Sequence, residues 1–367
     1  MTDPRPQPLE SFEAIDRMVA GYREAQILFA AVRLGLFDAL GDGALDAATL
    51  AERLGADRRG TRILCDALAA LGVLGKEGTG AEGDGQGEAD PTGAAGAGAA
   101  YRSSPAAREF LTTGSPRSKV PMLVHGAKLY ERWAGLVDAV TRGAPVPDDR
   151  IDPRLMDDEA VFAGAMAAIG RESAVITADA LERLGALEGV RTALDLGGGP
   201  GLYAIELARR VPGLRVVVLD RPATLEVTRR NVEAAGLSEP AGSGGTGSVT
   251  TRPGDALEGD LGGPYDLVFT SNFLHIFPPE ANRRLVARAA AALAPGGRLA
   301  VKDFLLDPDR ITPLGGTLFA VNMLVGTEGG DSFTIGEVHG WFRDAGLEPE
   351  ETVDLTAQSR LALGRKP

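Results

Sequence analysis

The stretch Thr192-Ala-Leu-Asp-Leu-Gly-Gly-Gly-Pro-Gly-Leu-Tyr-Ala204 confines this chain to few folds, because a short apolar run ends in an acid and breaks at once into a glycine-rich turn. Ala193, Leu194 and Leu196 suit a buried parallel strand, Gly197 to Gly201 suit a tight loop, and Tyr203 to Arg210 resume at helical spacing. Strand, loop and helix in that order put a ligand over the loop. The glycines admit close approach there, and the first turn of the helix offers unpaired N–H groups.

A glycine-rich turn alone is a weak signal, since nicotinamide and flavin enzymes carry G-x-G-x-x-G at the same place. Asp195 narrows the choice. It stands two residues before Gly197, giving D-x-G-x-G-x-G, and an acid there suits a ligand with a positive amino group better than a pyrophosphate. S-adenosylmethionine (SAM) is such a ligand. About 25 residues on, Val216-Val-Val-Leu-Asp220 is a second apolar strand ending in an acid, placed to accept ribose hydroxyls. Ribose binding alone also fits NAD, and strand-end acids can simply cap the helices that follow.

From Val190 onward strands and helices alternate to the end, which predicts a parallel sheet with helices on both faces and the ligand at the strand ends. After a helix through Thr224 to Ala235 and a Ser/Gly turn at Ala241 to Ser248, a third strand runs from Val249 to Arg252. Asp255 is read as its end. A carboxylate there suits the exocyclic amine of adenine, with Ala256 beside it; a plain turn acid is the alternative. Tyr265 to Phe277 reads as the fourth strand and its exit, Pro278 to Leu293 as a helix, and Leu299-Ala-Val-Lys-Asp303 as a fifth strand.

The N-terminal part has a different pattern. Ser11 to Leu40 carries apolar residues at helical spacing, and Asp46 to Leu54 with Asp57 to Leu71 gives two short helices around a turn. Leu71 to Gly75 and Tyr101 to Ser104 read as the arms of a β wing. The interval 77–100 is too rich in Gly, Ala and acids to bury a core and is expected to be a loose loop. A winged helix suggests DNA binding, yet acids outnumber bases between Met1 and Ser115, and the whole chain has net charge −13 and pI about 4.9. Nucleic acid and anionic membranes attract basic surfaces, so neither is the expected partner. Met1 to Ala14 has no apolar core of signal-peptide length, and no run approaches a membrane span, which predicts a cytoplasmic protein. Cys65 is the sole cysteine and sits at a core position of its helix.

Between the two ends, Lys119 to Arg142 and Asp157 to Leu187 are helical, interrupted at Gly143 to Asp148. Tyr130, Trp133, Phe162 and Met166 lie on apolar faces able to wall an acceptor pocket, with Met323 and Glu328 as further candidates. Such stripes also serve as plain core. His125, His275 and His339 are far apart with no short ligand motif, so no metal site is expected.

The ordered set Asp195-Leu-Gly-Gly-Gly-Pro-Gly201, Leu219-Asp220, Gly254-Asp255, Leu274-His275 and Leu293-Ala-Pro-Gly-Gly297 resembles a class I SAM-dependent methyltransferase. With the winged-helix region, nearly the whole chain resembles the small-molecule O-methyltransferases of plant phenylpropanoid and bacterial polyketide or pigment pathways. The resemblance implies an α/β fold: a Rossmann-like SAM domain over 189–367, a mostly α winged-helix dimerisation domain over 1–115, and a helical linker over 116–188 contributing to the acceptor pocket. It implies a homodimer, a small-molecule acceptor, SAM contacts at Gly197, Gly199, Asp220, Asp255 and Ala256, and His275 as the catalytic base oriented by Asp303. Several positions depart from the plant pattern. Ser271 and Asn272 stand where those members have a lysine and an aromatic, Phe277 replaces a tryptophan, and Asp303 replaces a glutamate. The position of the second orienting glutamate holds Ser332, with Glu328 and Asp331 nearby but out of register.

The chemistry of the residues agrees in outline. A phenol or enol loses a proton as it attacks, and an imidazole is the natural receiver. Three other readings remain open on the sequence: a nicotinamide dehydrogenase, which lacks a reason for Asp195; a carbon or sulfur methyltransferase, which has less need of a proton-accepting pair; and a SAM-binding winged-helix regulator.

Overall fold

A computed structural model describes residues 8–78, 99–150, 159–238 and 247–367. Most of the expected 77–100 loop, most of the Ser/Gly turn before Ser248 and the start of the second linker helix lie outside the described residues. The described chain falls into two compact units, one up to Lys128 and one from Leu129 onward.

In the first unit the helical run from Ser11 to Leu40 is three helices: α1 (Phe12–Ala20), α2 (Tyr22–Arg33) and α3 (Leu36–Leu40). Apolar spacing alone did not mark the breaks. They fall at Gly21 and at Gly35, whose φ of 68° is the left-handed region that ends helices. The Asp46 side chain caps α4 (Ala47–Leu54) through the amides of Ala48 and Thr49, and Asp57 caps α5 (Arg58–Ala70) through Gly60. Strands β1 (Leu45–Asp46), β2 (Leu74–Glu77) and β3 (Ala100–Ser103) form an antiparallel sheet in the order β1-β3-β2. Leu36, Phe37, Leu50, Leu68 and Cys65 fill the core, and burial pushes the Cys65 thiol up to about 12. Asp66 of α5 accepts hydrogen bonds from Arg62, Lys76 and Tyr101. One base of the helix-turn-helix, Arg62, and one of the wing, Lys76, are thus bound internally. α6 (Pro105–Phe110) follows, and α7 (Val120–Trp133) crosses into the second unit.

The predicted helix to Arg142 is likewise split. α7 ends at Trp133 and α8 (Leu136–Arg142) begins after Gly135, where a Cβ would stand 2.7 Å from Val146. α9 (Glu159–Arg183) leads into a seven-stranded sheet. Its strands are β4 (Thr192–Leu196), β5 (Arg215–Asp220), β6 (Ser248–Pro253), β7 (Tyr265–Ser271), β8 (Leu293–Asp303), β9 (Glu348–Asp354) and β10 (Arg360–Arg365), in the order β6-β5-β4-β7-β8-β10-β9. The helices between them are α10 (Leu202–Arg210), α11 (Pro222–Ala234), α12 (Pro279–Ala291), α13 (Leu314–Gly326) and α14 (Ile335–Asp344).

The parallel pattern does not run to the end as the alternation predicted. β4 to β8 pair in parallel, but β10 inserts antiparallel between β8 and β9. A short β9–β10 connection permits antiparallel pairing, whereas a parallel neighbour needs a long crossover. The chain reverses direction beside β4, with β5 on one side and β7 on the other, and ligands of open α/β sheets bind at the strand carboxyl ends there. No helix among the described residues is long and apolar enough to cross a membrane.

Candidate active site

The loop after β4 is shaped around Asp195. Gly197 adopts φ 70°, and a Cβ there would stand 2.6 Å from the ring of Phe273; at Gly198 one would stand 2.6 Å from the Asp195 carboxylate. Larger residues would push the loop off the acid. Asp195 is 1% exposed and neither of its oxygens makes a hydrogen bond of normal geometry. Burial, and then the charge of Asp220, push its pKa up to about 7. A buried, unpaired carboxyl is costly unless something positive comes to meet it.

Asp220, at the end of β5, accepts from the amides of Gly199 at 2.8 Å and Arg221 at 2.7 Å. The acid expected to face ribose therefore also braces the glycine loop, a role not visible in the sequence. Asp255 lies just past β6 rather than on it, because Pro253 and Gly254 end the strand. One of its oxygens accepts from the amides of Leu257 and Glu258, as in the turn-acid reading, and the residue also lines the cavity at the strand ends. Ser271, at the end of β7, has a buried Oγ with no partner. A cavity of about 670 Å³ runs along these strand ends, walled by Asp195, the Gly197–Pro200 loop, Asp220, Asp255, Ala256, Ser271, Asn272 and Phe273. A glycine cradle, an orphaned buried carboxyl and successive strand-end acids fit a nucleoside that carries an amino acid, such as SAM.

His275 lies in the turn Leu274–Ile276 after β7 and is 8% exposed. Its Nδ1 is 2.7 Å from Asp303 Oδ1, its amide donates to Asp303 Oδ2 at 3.3 Å, and Phe304 N donates to Oδ1 at 2.8 Å. Burial alone would raise the Asp303 carboxyl, but the His275 ring, these hydrogen bonds and Lys302 hold it below the usual carboxylate range. An ionised Asp303 can only accept, which assigns the proton to Nδ1 and leaves the Nε2 lone pair free to take another. The ring packs edge-on against Phe319, with centroids 4.7 Å apart, and Phe319 stacks on Phe304 at 3.8 Å. Neither phenylalanine stood out in the sequence; only the place of Phe304 directly after Asp303 hinted at it.

Among the described residues no acid other than Asp303 hydrogen-bonds the His275 ring. Ser332 is buried and its Oγ donates to the Gly316 carbonyl at 2.8 Å, while Asp331 and Glu337 both pair with Arg310. Gly330 packs on the His275 carbonyl too closely for any side chain. Among the acceptor-wall candidates, Met166 lines the cavity. Trp133 instead donates to Asn322 at 3.2 Å and packs with Val146 and Val325. Tyr130 is half exposed, Met323 is buried on α13, and Glu328 is exposed; none of these four is on the cavity wall. The side chain of Phe162 lies outside the described residues. No group of three or more His, Cys, Asp or Glu among the described residues is arranged to hold a metal.

Comparison with known proteins agrees with this geometry. Residues 153–348 match the model of an O-methyltransferase domain, and residues 17–113 match that of an O-methyltransferase dimerisation domain. The chain is 31% identical over 342 residues to a 3-hydroxy-5-methyl-1-naphthoate 3-O-methyltransferase of Streptomyces sahachiroi, covering 92% of this chain and 89% of that one. It is 30% identical over 361 residues to the tetracenomycin polyketide synthesis 8-O-methyl transferase of Streptomyces glaucescens, covering 96% of each. Its fold matches human N-acetylserotonin methyltransferase in complex with SAM at a TM-score of 0.76 and 27% identity, over 99% of each chain.

Proposed function

Since this chain belongs to the O-methyltransferase family, we propose that it moves a methyl group from SAM to a hydroxyl of a small aromatic or polyketide-like secondary metabolite, with His275 as general base. The observation that carries the reading is the buried His275–Asp303 pair, with Phe273 and Ile276 of the same turn lining a cavity edged by Asp195 and Asp220. SAM supplies a methyl on a positive sulfur already activated for displacement, so the protein's share is alignment, exclusion of water and proton acceptance. Asp303 fixes the imidazole tautomer, and Nε2 receives the hydroxyl proton as the oxygen attacks. Asp195 meets the ammonium, Asp220 the ribose hydroxyls, and Asp255 the exocyclic amine of adenine beside Ala256, while Gly197, Gly199 and Ser271 line the same site. With Ser332 in place of a second acid, the ring is oriented from its Nδ1 side only.

The test is to incubate the protein with methyl-labelled SAM and a metabolite extract and identify the labelled product by mass spectrometry. An O-methyl ether supports the reading, and a C- or S-methyl product overturns the hydroxyl assignment. Cofactor binding has its own test. Asp220→Ala should weaken SAM and S-adenosylhomocysteine by about 1–3 kcal/mol, the range for buried polar partners left unpaired. Calorimetry finding NADH binding in their place would exclude a methyltransferase.

The division of labour we propose gives 1–115 subunit pairing, 116–188 a share of the acceptor pocket, and 189–367 the cofactor, in a cytoplasmic homodimer. α1 supports the pairing role: Phe12 is 73%, Met18 69% and Val19 63% exposed, an apolar surface a soluble monomer would seldom leave bare. Light scattering should give about twice the 38.1 kDa chain mass, and Phe12→Glu with Met18→Glu should lower it toward one. A fully active monomer at micromolar concentration would refute the assignment.

A further inference from the structure

We infer that Asn272 donates a hydrogen bond to the α-carboxylate of the bound cofactor and that the buried Lys302 is the positioning residue that aims it; the inference rests on the methyltransferase reading above. Asn272 follows β7 in the left-handed region, φ 51°, where few residues other than glycine, Asn and Asp sit without strain. It is clamped twice to one residue of β8. Its amide donates to the Lys302 carbonyl at 2.9 Å, and Lys302 Nζ donates to its Oδ1 at 2.8 Å.

The second contact decides which way the side chain faces. An ammonium has hydrogens and no lone pair, so the oxygen of the amide must face it. The Nδ2 group then points away from Lys302. It makes no hydrogen bond to the described residues, and Asn272 is part of the cavity wall. Lys302 itself is 4% exposed, and its ammonium lies 5.7 Å from the centroid of Phe304. The buried ammonium shares its field with the ionised Asp303 next to it in β8, so Asn272 Oδ1 is the neutral group it holds in place.

Sheet order says which part of the ligand lies there. Along the carboxyl edge, Asp255 follows β6, Asp220 ends β5, the glycine loop follows β4 and Asn272 follows β7. If the first two acids serve adenine and ribose, the ligand's amino-acid end falls between β4 and β7. That end of the site offers the unpaired buried carboxyl of Asp195 and, behind Asn272, the buried ammonium of Lys302, with the orphaned Ser271 Oγ alongside. A zwitterionic α-amino acid matches both signs: its ammonium answers Asp195, and its carboxylate answers the Asn272 amide with Lys302 behind it.

The test uses three probes by calorimetry: S-adenosylhomocysteine, its decarboxylated amine analogue, and 5′-methylthioadenosine. Asn272→Asp keeps the shape and forms an ion pair with Lys302, so it folds, but it turns an acceptor toward the ligand carboxylate. It should weaken S-adenosylhomocysteine at least about tenfold and leave the two probes without a carboxylate unchanged. Lys302→Met should weaken S-adenosylhomocysteine about five- to tenfold, and Lys302→Gln, a neutral donor to the same oxygen, should recover part of that loss. Equal weakening of all three probes, or none in Asn272→Asp, overturns the inference. A wild type that binds none of them overturns the methyltransferase reading, and this inference falls with it.

Discussion

Exchanging His275 for alanine is expected to lower turnover on a hydroxyl acceptor by about 10²–10⁴-fold while leaving SAM affinity unchanged, since the ring serves the acceptor's proton and not the cofactor. The loss should depend on pH. In wild type the rate falls on the acid side, where a protonated imidazole has no lone pair to offer, and in the variant an acceptor already ionised at high pH partly restores it. Because Asp303 is 2% exposed, alanine also leaves a buried carboxylate short of a partner. His275→Asn separates the two effects. Its amide can still donate to Asp303, so it should fold like wild type yet be as slow as alanine. Asp303→Asn should cost less, by freeing the ring rather than removing it. The measurement is the pH–rate profile of the four proteins, and a His275→Ala variant within about threefold of wild type from pH 6 to 9 would falsify the base assignment.

The second large effect is expected at Asp195. Its folded carboxyl lies at about 7 against an ordinary 3.8, so the ligand-free protein holds a proton the unfolded chain has lost. Stability is then greatest below the unfolded value and falls as pH rises through the window from about 4 to 7. At roughly 1.4 kcal/mol per unit the penalty at neutral pH is of order several kcal/mol. Asp195→Asn removes it, so the ligand-free variant should melt several degrees higher at pH 8, at roughly 2–4 °C per kcal/mol, and no higher at pH 4. The same change removes the answer to the cofactor's ammonium, and S-adenosylhomocysteine binding should fall at least about a hundredfold. A variant that is less stable at pH 8 and binds normally would mean that Asp195 is a structural acid.

Much of the proposed site was legible because the residues assigned to it lie next to one another in sequence. Asp195 with its glycines, Asp220, and Leu274-His275 each sit at the end of an apolar strand, and strand ends are what hydrophobic pattern locates best. The relations between distant segments were not legible. That Asp220 braces Gly199, that Phe319 faces His275, or that Lys302 grips Asn272 depends on strand order and register, which periodicity does not encode. The helix breaks at Gly21 and Gly135 were hidden for a related reason: apolar residues recur at helical spacing on both sides of each bend, whether the piece is buried or, like α1, exposed. The acceptor-wall residues were the least readable. Trp133 and Met323 have the apolar pattern of a pocket, and packing, not pattern, decides whether such a residue faces a cavity or a neighbour.

The insertion of β10 between β8 and β9 sets an order of assembly during synthesis. Arg360 pairs directly with Asp303, so the strand that carries the acid stays an open edge until residues 360–365 have been translated. The glycine loop, Asp220 and their strands are made more than a hundred residues earlier and can pair as they emerge, at about 5–20 residues per second. A nascent chain paused between Asp303 and Arg360 therefore has the parts of the proposed cofactor cradle but not the finished form of the proposed proton acceptor, so cofactor retention and catalytic competence should appear on the ribosome at separate chain lengths.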